Sequence, residues 1–94
     1  MTYANEADLL NVALFGITAK QWRDKNSNKT GNMRDYATLN QLLVLSNMES
    51  YNAILIEKGT IQAERIQLLN KLAIYQLKAI DEIGASEIKK LDSE

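Results

Sequence analysis

The spacing of apolar positions indicates that this chain is built from helices. Between residues 39 and 58, apolar side chains recur at three- and four-residue steps, which predicts one helix about 30 Å long. A second periodic stretch over 61–83 carries two apolar stripes, and two stripes on one helix indicate contact with two neighbours. One stripe consists of Ile66, Leu69, Ala73, Leu77 and Ile80, and the other of Ile61, Leu68, Leu72 and Tyr75.

Capping residues predict where two N-terminal helices begin and end. Asn5 is a suitable N-cap for a nearly all-apolar helix, and Gly16 suits the left-handed backbone conformation that ends such a helix. Thr18 and Gln21 have the spacing of a capping box, which predicts a short second helix over 19–25.

A polar segment separates these helices from the long periodic stretches. Residues 26–32 read "NSNKTGN" and predict a loop, because Asn, Ser and Gly favour local hydrogen bonds and turns. The following residues, 33–37, carry no signal that assigns them to an element. Thr38 and Gln41 repeat the capping-box spacing and predict the start of the first long helix.

Glycines predict the ends of the two long helices. In "EKGT", residues 57–60, Gly59 follows one helix and Thr60 is a suitable N-cap for the next, so the two helices form an antiparallel hairpin. Gly84 is predicted to end the second helix. The sequence thus predicts one all-α domain over residues 1–84, in which two short N-terminal helices accompany a long antiparallel helical hairpin, and a flexible tail over 85–94. A dimeric bundle is a further option.

The composition removes most classes of enzyme chemistry. The 94 residues include no cysteine and no histidine, so thiolate chemistry and the commonest general base and metal ligand are excluded. The acidic groupings, Asp81–Glu82 and Glu49 with Glu57, lack a base, a glycine-rich loop or a hydroxyl nucleophile at motif spacing. We therefore expect a protein that is not an enzyme, with no catalytic residue, no cofactor, no metal site and no small-molecule substrate.

Two further features concern the cellular location. No apolar run approaches the roughly 20 residues of a membrane helix. The first ten residues, "MTYANEADLL", also lack the basic start and the apolar centre of a signal peptide. We expect a cytoplasmic protein without a membrane partner.

Positive charge is concentrated in one segment, although the net charge is −1. Residues 18–34 contain five cations and a single acid, Asp24. One interpretation is contact with DNA phosphates, and the other is an ordinary solvated loop. The candidate DNA-contacting residues are Lys20, Arg23, Lys25, Lys29 and Arg34.

The same region has a partial helix-turn-helix pattern. With Gly16 as the turn glycine, Phe15 and Ile17 fill the flanking apolar positions and Trp22 fills an inward position. The departures from the pattern are Asn11, Val12 and Lys25. A simple corner between two packed helices fits the same residues, with Trp22 in the core.

The width of the apolar stripes favours self-association. A chain of this length buries a limited core, so an isolated monomer is marginal and a second copy adds burial. The stripes fit a coiled-coil-like dimer face, and a monomeric core is the alternative. The expected interface residues are Leu42, Leu45, Ile66, Leu69, Ala73, Leu77 and Ile80.

Three contiguous blocks carry a family resemblance. "YANEADLLNVALFGITAKQWR", "GNMRDYATLNQLLVLSNMESYNA" and "ERIQLLNKLAI" resemble the C-terminal segment of bacterial and phage KilA-N domain proteins, over about residues 3–80. In that family DNA binding is assigned to an N-terminal KilA-N domain. That domain has no counterpart in these 94 residues, so no functional residue is carried over. The resemblance implies a DNA-linked, phage-related setting.

Two functional hypotheses follow. The leading one is a non-enzymatic oligomerisation or partner-binding module of a KilA-N-type DNA-binding protein. As a homo-oligomer, such a module holds two DNA-binding halves together and so raises their effective concentration. The alternative is direct DNA binding through the helix-turn-helix-like corner at residues 9–34.

Overall fold

The computed structural model describes Tyr3 and residues 5–92, with side-chain environments up to Ile80, and all regular structure in this part of the chain is helical. The elements are α1 (Glu6–Phe15), α2 (Ala19–Lys25), a 3₁₀ turn (Met33–Tyr36), α3 (Leu39–Glu57) and α4 (Gln62–Asp92). The predicted all-α fold is confirmed. The 3₁₀ turn occupies the residues that the sequence pattern left unassigned.

The starts of α1, α2 and α3 follow the predicted caps. The Asn5 side chain accepts a hydrogen bond from the backbone N–H of Asp8 at 2.8 Å. Thr18 and Thr38 each head a complete capping box, in which the threonine hydroxyl and a glutamine side chain satisfy backbone N–H groups reciprocally. Gly16 ends α1 in the left-handed conformation, with φ of 81°, and its N–H donates to Val12 O.

The turn between α3 and α4 is confirmed at Gly59 and differs at Thr60. Gly59 has φ of 77°, and the N–H of Thr60 donates to Leu55 O at 2.9 Å, which is the Schellman arrangement. The prediction of Thr60 as N-cap is wrong, because the carbonyl of Ile61 accepts the first helical hydrogen bonds. Helix α4 thus begins at Gln62.

The predicted end of α4 at Gly84 is also wrong, since the helix continues to Asp92. An interior glycine weakens a helix by only about 1 kcal/mol relative to alanine, so it ends one only where it takes the left-handed C′ conformation. The flexibility expected of residues 85–94 stays a prediction, and residues 93 and 94 lie outside the described part of the chain.

The core lies where α1 crosses the hairpin of α3 and α4. α1 contacts both long helices, and the long helices contact each other. The buried apolar residues at this junction are Leu9, Leu10, Ala13, Val44, Leu45, Met48, Leu55, Leu69 and Ala73. α1 therefore covers one face of the hairpin, and that face supplies the monomer with its core.

The fold is thin and leaves much apolar surface exposed. Its Cα extents are 51 × 40 × 16 Å, and the radius of gyration is 15.6 Å, whereas a compact domain of this length has about 12 Å. Ten large apolar side chains are exposed within the described residues, including Leu39, Ile61 and Tyr75. A thin layer of helices cannot hide every apolar stripe, because each long helix keeps one side uncovered.

Candidate functional site

A buried polar cluster fixes α1 on the hairpin. Arg65 of α4 is only 9% exposed, and its Nη2 donates to Glu6 Oε2 of α1 at 2.9 Å. Its Nη1 donates to Thr60 O at 2.8 Å. Asn52 of α3 is 3% exposed and donates to the other carboxylate oxygen of Glu6 at 2.7 Å. One carboxylate thus joins three helices. We call Glu6, Asn52 and Arg65 the polar clamp.

The sequence pattern does not reveal the polar clamp. Its three members come from three helices, and each looks like an ordinary surface residue within its own helix. Glu6 lies in the first turn of α1, where a negative charge suits the helix N-terminus and so points to no distant partner. The signal that could have found Arg65 is its position: it lies four residues before Leu69, on the side of α4 that becomes buried.

Hydrogen bonds between helices show which side of the hairpin α1 covers. Asn70 of α4 donates to Ala13 O of α1 at 2.9 Å, and Asn52 of α3 reaches Glu6 of α1. Asn47 of α3 donates to Gln76 of α4 at 3.0 Å, which joins the two long helices directly. Side chains that point away from α1 therefore form an opposite face, built from both long helices.

That opposite face is apolar and exposed. Helical spacing places on it Ile54 of α3, Ile61 directly before α4, and Leu68 and Tyr75 of α4, with exposed fractions of 49%, 63%, 36% and 73%. Leu72 lies half-buried between this face and the core. We call Ile54, Ile61, Leu68 and Tyr75 the outer face. Large exposed apolar patches on a small domain mark interaction sites.

The predicted interface residues lie on a different side of the molecule. Leu45, Leu69 and Ala73 are at most 3% exposed and belong to the monomer core, so placing them in an intermolecular interface is corrected by the fold. Ile66, Leu77 and Ile80 are half-buried against the same core, and Leu42 is exposed. The reason is α1: this mostly apolar helix covers the first stripe of α4, and Ile61, Leu68 and Tyr75 of the second stripe are left exposed.

The five predicted DNA-contacting cations divide into two groups. Lys20, Arg23 and Lys25 are exposed along α2 and form no ion pair with the described residues. Lys29 and Arg34 are engaged within the chain. The Nζ of Lys29 lies 5.1 Å from the centre of the Tyr36 ring.

Arg34 braces the 3₁₀ turn against the helices. Its Nε and Nη2 donate to Oδ1 of the buried Asn11 of α1 at 3.4 and 3.3 Å. Its Nη1 lies 4.0 Å from the carboxylate of Glu49 of α3. These contacts occupy much of the guanidinium, which leaves α2 with the cations that are free to meet phosphate.

An open aromatic cleft separates α2 from the start of α3. The rings of Trp22 and Tyr36 lie 5.2 Å apart and are tilted by 36°. The cleft has a volume of about 250 Å³ and is lined by Phe15, Ile17, Trp22, Met33, Tyr36, Ala37 and Gln41. The predicted core position of Trp22 is met only in part, since its side chain is half-buried and borders the cleft.

Clusters of metal-binding side chains and membrane-spanning helices are both absent from the described residues. These residues contain no cluster of three or more side chains suited to hold a metal ion. None of the helices, within the same part of the chain, has the length and apolar character that crossing a membrane requires. Asp81 and Glu82 lie beyond the side chains that the structure describes.

A scan of protein-family models and searches among curated proteins and solved structures find no match to this chain, so the KilA-N resemblance remains a hypothesis.

Proposed function

We propose that this chain is a non-enzymatic assembly module that associates with a second copy of itself through the outer face. The observation that carries the proposal is the exposure of Ile61, Leu68 and Tyr75 along one side of α4, next to Ile54 of α3. Association with another helical hairpin removes these side chains from water, and burial of apolar surface is the main driving force of such assemblies.

The resemblance to KilA-N proteins gives this assembly a purpose. If the chain works beside a DNA-binding domain, pairing two chains brings two DNA-binding units to one DNA molecule. The second contact then forms at a high effective concentration, so two weak contacts act as one strong contact. The proposed biological role is thus to pair the DNA-binding parts of a KilA-N-type protein, in a phage-related cytoplasmic setting.

The test is the molar mass of the chain across a concentration series, measured by sedimentation equilibrium or light scattering. We expect a mass that rises from one copy towards two. Leu68→Lys should shift the chain towards monomer, because it places a charge in the centre of the outer face. Ile74→Lys is the matched control, since Ile74 is 61% exposed on α4 but lies off that face. A monomeric mass at every concentration contradicts the proposal.

Direct DNA contact is the second candidate, and the free cations of α2 favour it. Lys20, Arg23 and Lys25 are exposed on one short helix beside a polar loop. Phosphate contacts by such cations give binding that weakens as salt rises. The acidic remainder of the chain opposes this attraction, which is why the outer face supports the assembly role better.

Fluorescence anisotropy with random duplex DNA tests the second candidate. Micromolar binding that is lost at moderate salt supports it, and Lys20→Glu with Arg23→Glu should then abolish the signal. The control is Lys58→Glu with Lys78→Glu, which changes the net charge equally at exposed positions of the hairpin. Absence of binding at low salt, where phosphate attraction is strongest, refutes direct contact.

A further inference from the structure

The arrangement of residues on the outer face identifies how two copies would pair. We infer that a second copy covers the outer face with its α4 antiparallel to α4 of the first, about a two-fold axis that passes beside Leu68. This inference rests on the proposed function, because it requires self-association through that face. It goes further by fixing the orientation and the residues that meet.

The apolar stripe of α4 is symmetric about Leu68. Ile61 lies seven residues before Leu68 and Tyr75 lies seven residues after it, so all three project from one side of the helix at two-turn spacing. An antiparallel second copy centred on Leu68 places its Tyr75 over Ile61 of the first. A two-fold interface joins the same surface of both copies, so the reverse contact forms as well.

Charge beside the stripe has the matching sign pattern. Glu64 lies four residues before Leu68 and Lys71 three residues after it, both on the flank of the stripe that points away from α3. In an antiparallel helix pair, like flanks meet, so Glu64 of each copy approaches Lys71 of the other. Both side chains are exposed and form no ion pair with the described residues of their own chain.

The hairpin places α3 on the same axis. The hydrogen bond between Asn47 and Gln76, together with the turn at Gly59, sets the register of the two long helices. Counting seven residues along each helix from that hydrogen bond brings Ile54 level with Leu69, and so within one residue of Leu68. The proposed axis therefore stacks Ile54 on Ile54 of the second copy, beside the contact between the two Leu68 side chains, and the two hairpins form a four-helix bundle of two stacked layers.

Engineered cysteines test this geometry directly, because the natural chain contains none. A disulfide requires Cα atoms within about 7 Å, a distance met by a residue next to a two-fold axis. Under mild oxidation, Leu68→Cys should form a covalent dimer, whereas the control Ile74→Cys should stay monomeric. A dimer by mass that fails to cross-link at Leu68 overturns the proposed axis and leaves the assembly role intact.

Mixed cysteine variants distinguish antiparallel from parallel pairing. Neither Ile61→Cys nor Tyr75→Cys should form a cross-linked dimer on its own. A mixture of the two variants should form a disulfide-linked heterodimer, which a mass tag on one variant identifies. Parallel pairing gives the opposite pattern, with each variant cross-linked to itself, and that result overturns the inference. A chain that is monomeric throughout overturns both this inference and the proposed function.

A charge exchange provides an independent measurement without oxidation. Glu64→Lys and Lys71→Glu should each weaken dimerisation about fivefold to tenfold, because each brings like charges together at two symmetric places. The double exchange should restore the dissociation constant of the natural chain. Additive weakening in the double variant shows that the two side chains do not meet, which contradicts the antiparallel arrangement.

Discussion

Removing the carboxylate of the polar clamp should destabilise the fold far more than removing another carboxylate that lies near an arginine. The substitution Glu6→Gln keeps the size of the side chain and removes its charge. Arg65, 9% exposed, then loses its ion pair at 2.9 Å. The hydrogen bond to Asn52 at 2.7 Å also loses a charged acceptor.

The expected magnitude lies between two limits. Breaking a fully buried ion pair costs about 3–5 kcal/mol, and breaking an exposed one costs at most about 1 kcal/mol. The Arg65 side chain is 10% exposed and that of Glu6 is 45% exposed, so the pair is buried at one end only. We expect a loss of about 2 kcal/mol in the free energy of unfolding, or a fall of about 8–16 °C in Tm.

The assay is urea unfolding followed by circular dichroism at 222 nm, at one fixed protein concentration, because self-association adds to apparent stability. Glu49→Gln is the matched control. Its carboxylate lies 4.0 Å from Arg34 and is more than half exposed, so we expect a loss below about 0.5 kcal/mol. In an Arg65→Met background, Glu6→Gln should cost little, because no buried charge remains to be paired.

The reasoning is refuted if Glu6→Gln and Glu49→Gln destabilise the chain equally. It is also refuted if Glu6→Gln costs the same with arginine or methionine at position 65. Either result would mean that apolar packing alone holds α1 on the hairpin.

Three further substitutions test the core, a helix start and the 3₁₀ turn. Leu69→Ala should lower the free energy of unfolding by about 2–5 kcal/mol, measured by thermal or urea unfolding, because it leaves a cavity in the core. Leu39 is 83% exposed, so Leu39→Ala should lower it by less than about 0.5 kcal/mol. Thr38→Ala should cost about 1 kcal/mol through loss of the capping box of α3, and an unchanged Tm would contradict that role. Gly31→Ala should disturb the 3₁₀ turn, because the added Cβ lies 2.6 Å from a carboxylate oxygen of Asp35 and the backbone has φ of 86°. Tyr36 of that turn packs against Trp22, the sole tryptophan, so the emission of Trp22 should shift to longer wavelength. An unchanged emission spectrum would show that the turn tolerates the methyl group.

The parts of the fold that follow from local chemistry could be predicted from the sequence. The side chains of Asn5, Thr18 and Thr38 each accept a hydrogen bond from a backbone N–H three residues later in the chain. The signal for each helix start therefore lies within a short stretch of sequence. Gly59 likewise ends α3 through a local turn. The long helices and their antiparallel connection follow from periodicity and a short turn, both visible in the sequence.

The parts that depend on contacts between distant residues could not be predicted. Both stripes of α4 are apolar, and periodicity alone does not tell which one the monomer covers. The choice is made by α1, which reaches the stripe of Leu69 and leaves Leu68 exposed. Three of the predicted interface residues, Leu45, Leu69 and Ala73, therefore fall in the monomer core. Gly84 failed as an end signal for a related reason, since glycine ends a helix only in a particular backbone conformation.

The polar clamp also determines the order in which the chain can complete its fold. Glu6 and Arg65 are 59 positions apart, whereas α3 and α4 meet across a short turn. During synthesis α1 therefore emerges from the ribosome before α4, and the apolar side that contains Leu9 and Leu10 stays uncovered until α4 has emerged. Local contacts form faster than distant ones, so the hairpin closes first and α1 docks last. α1 is thus made before the hairpin but secured after it, and in that interval a chaperone or a neighbouring nascent chain can bind its apolar side.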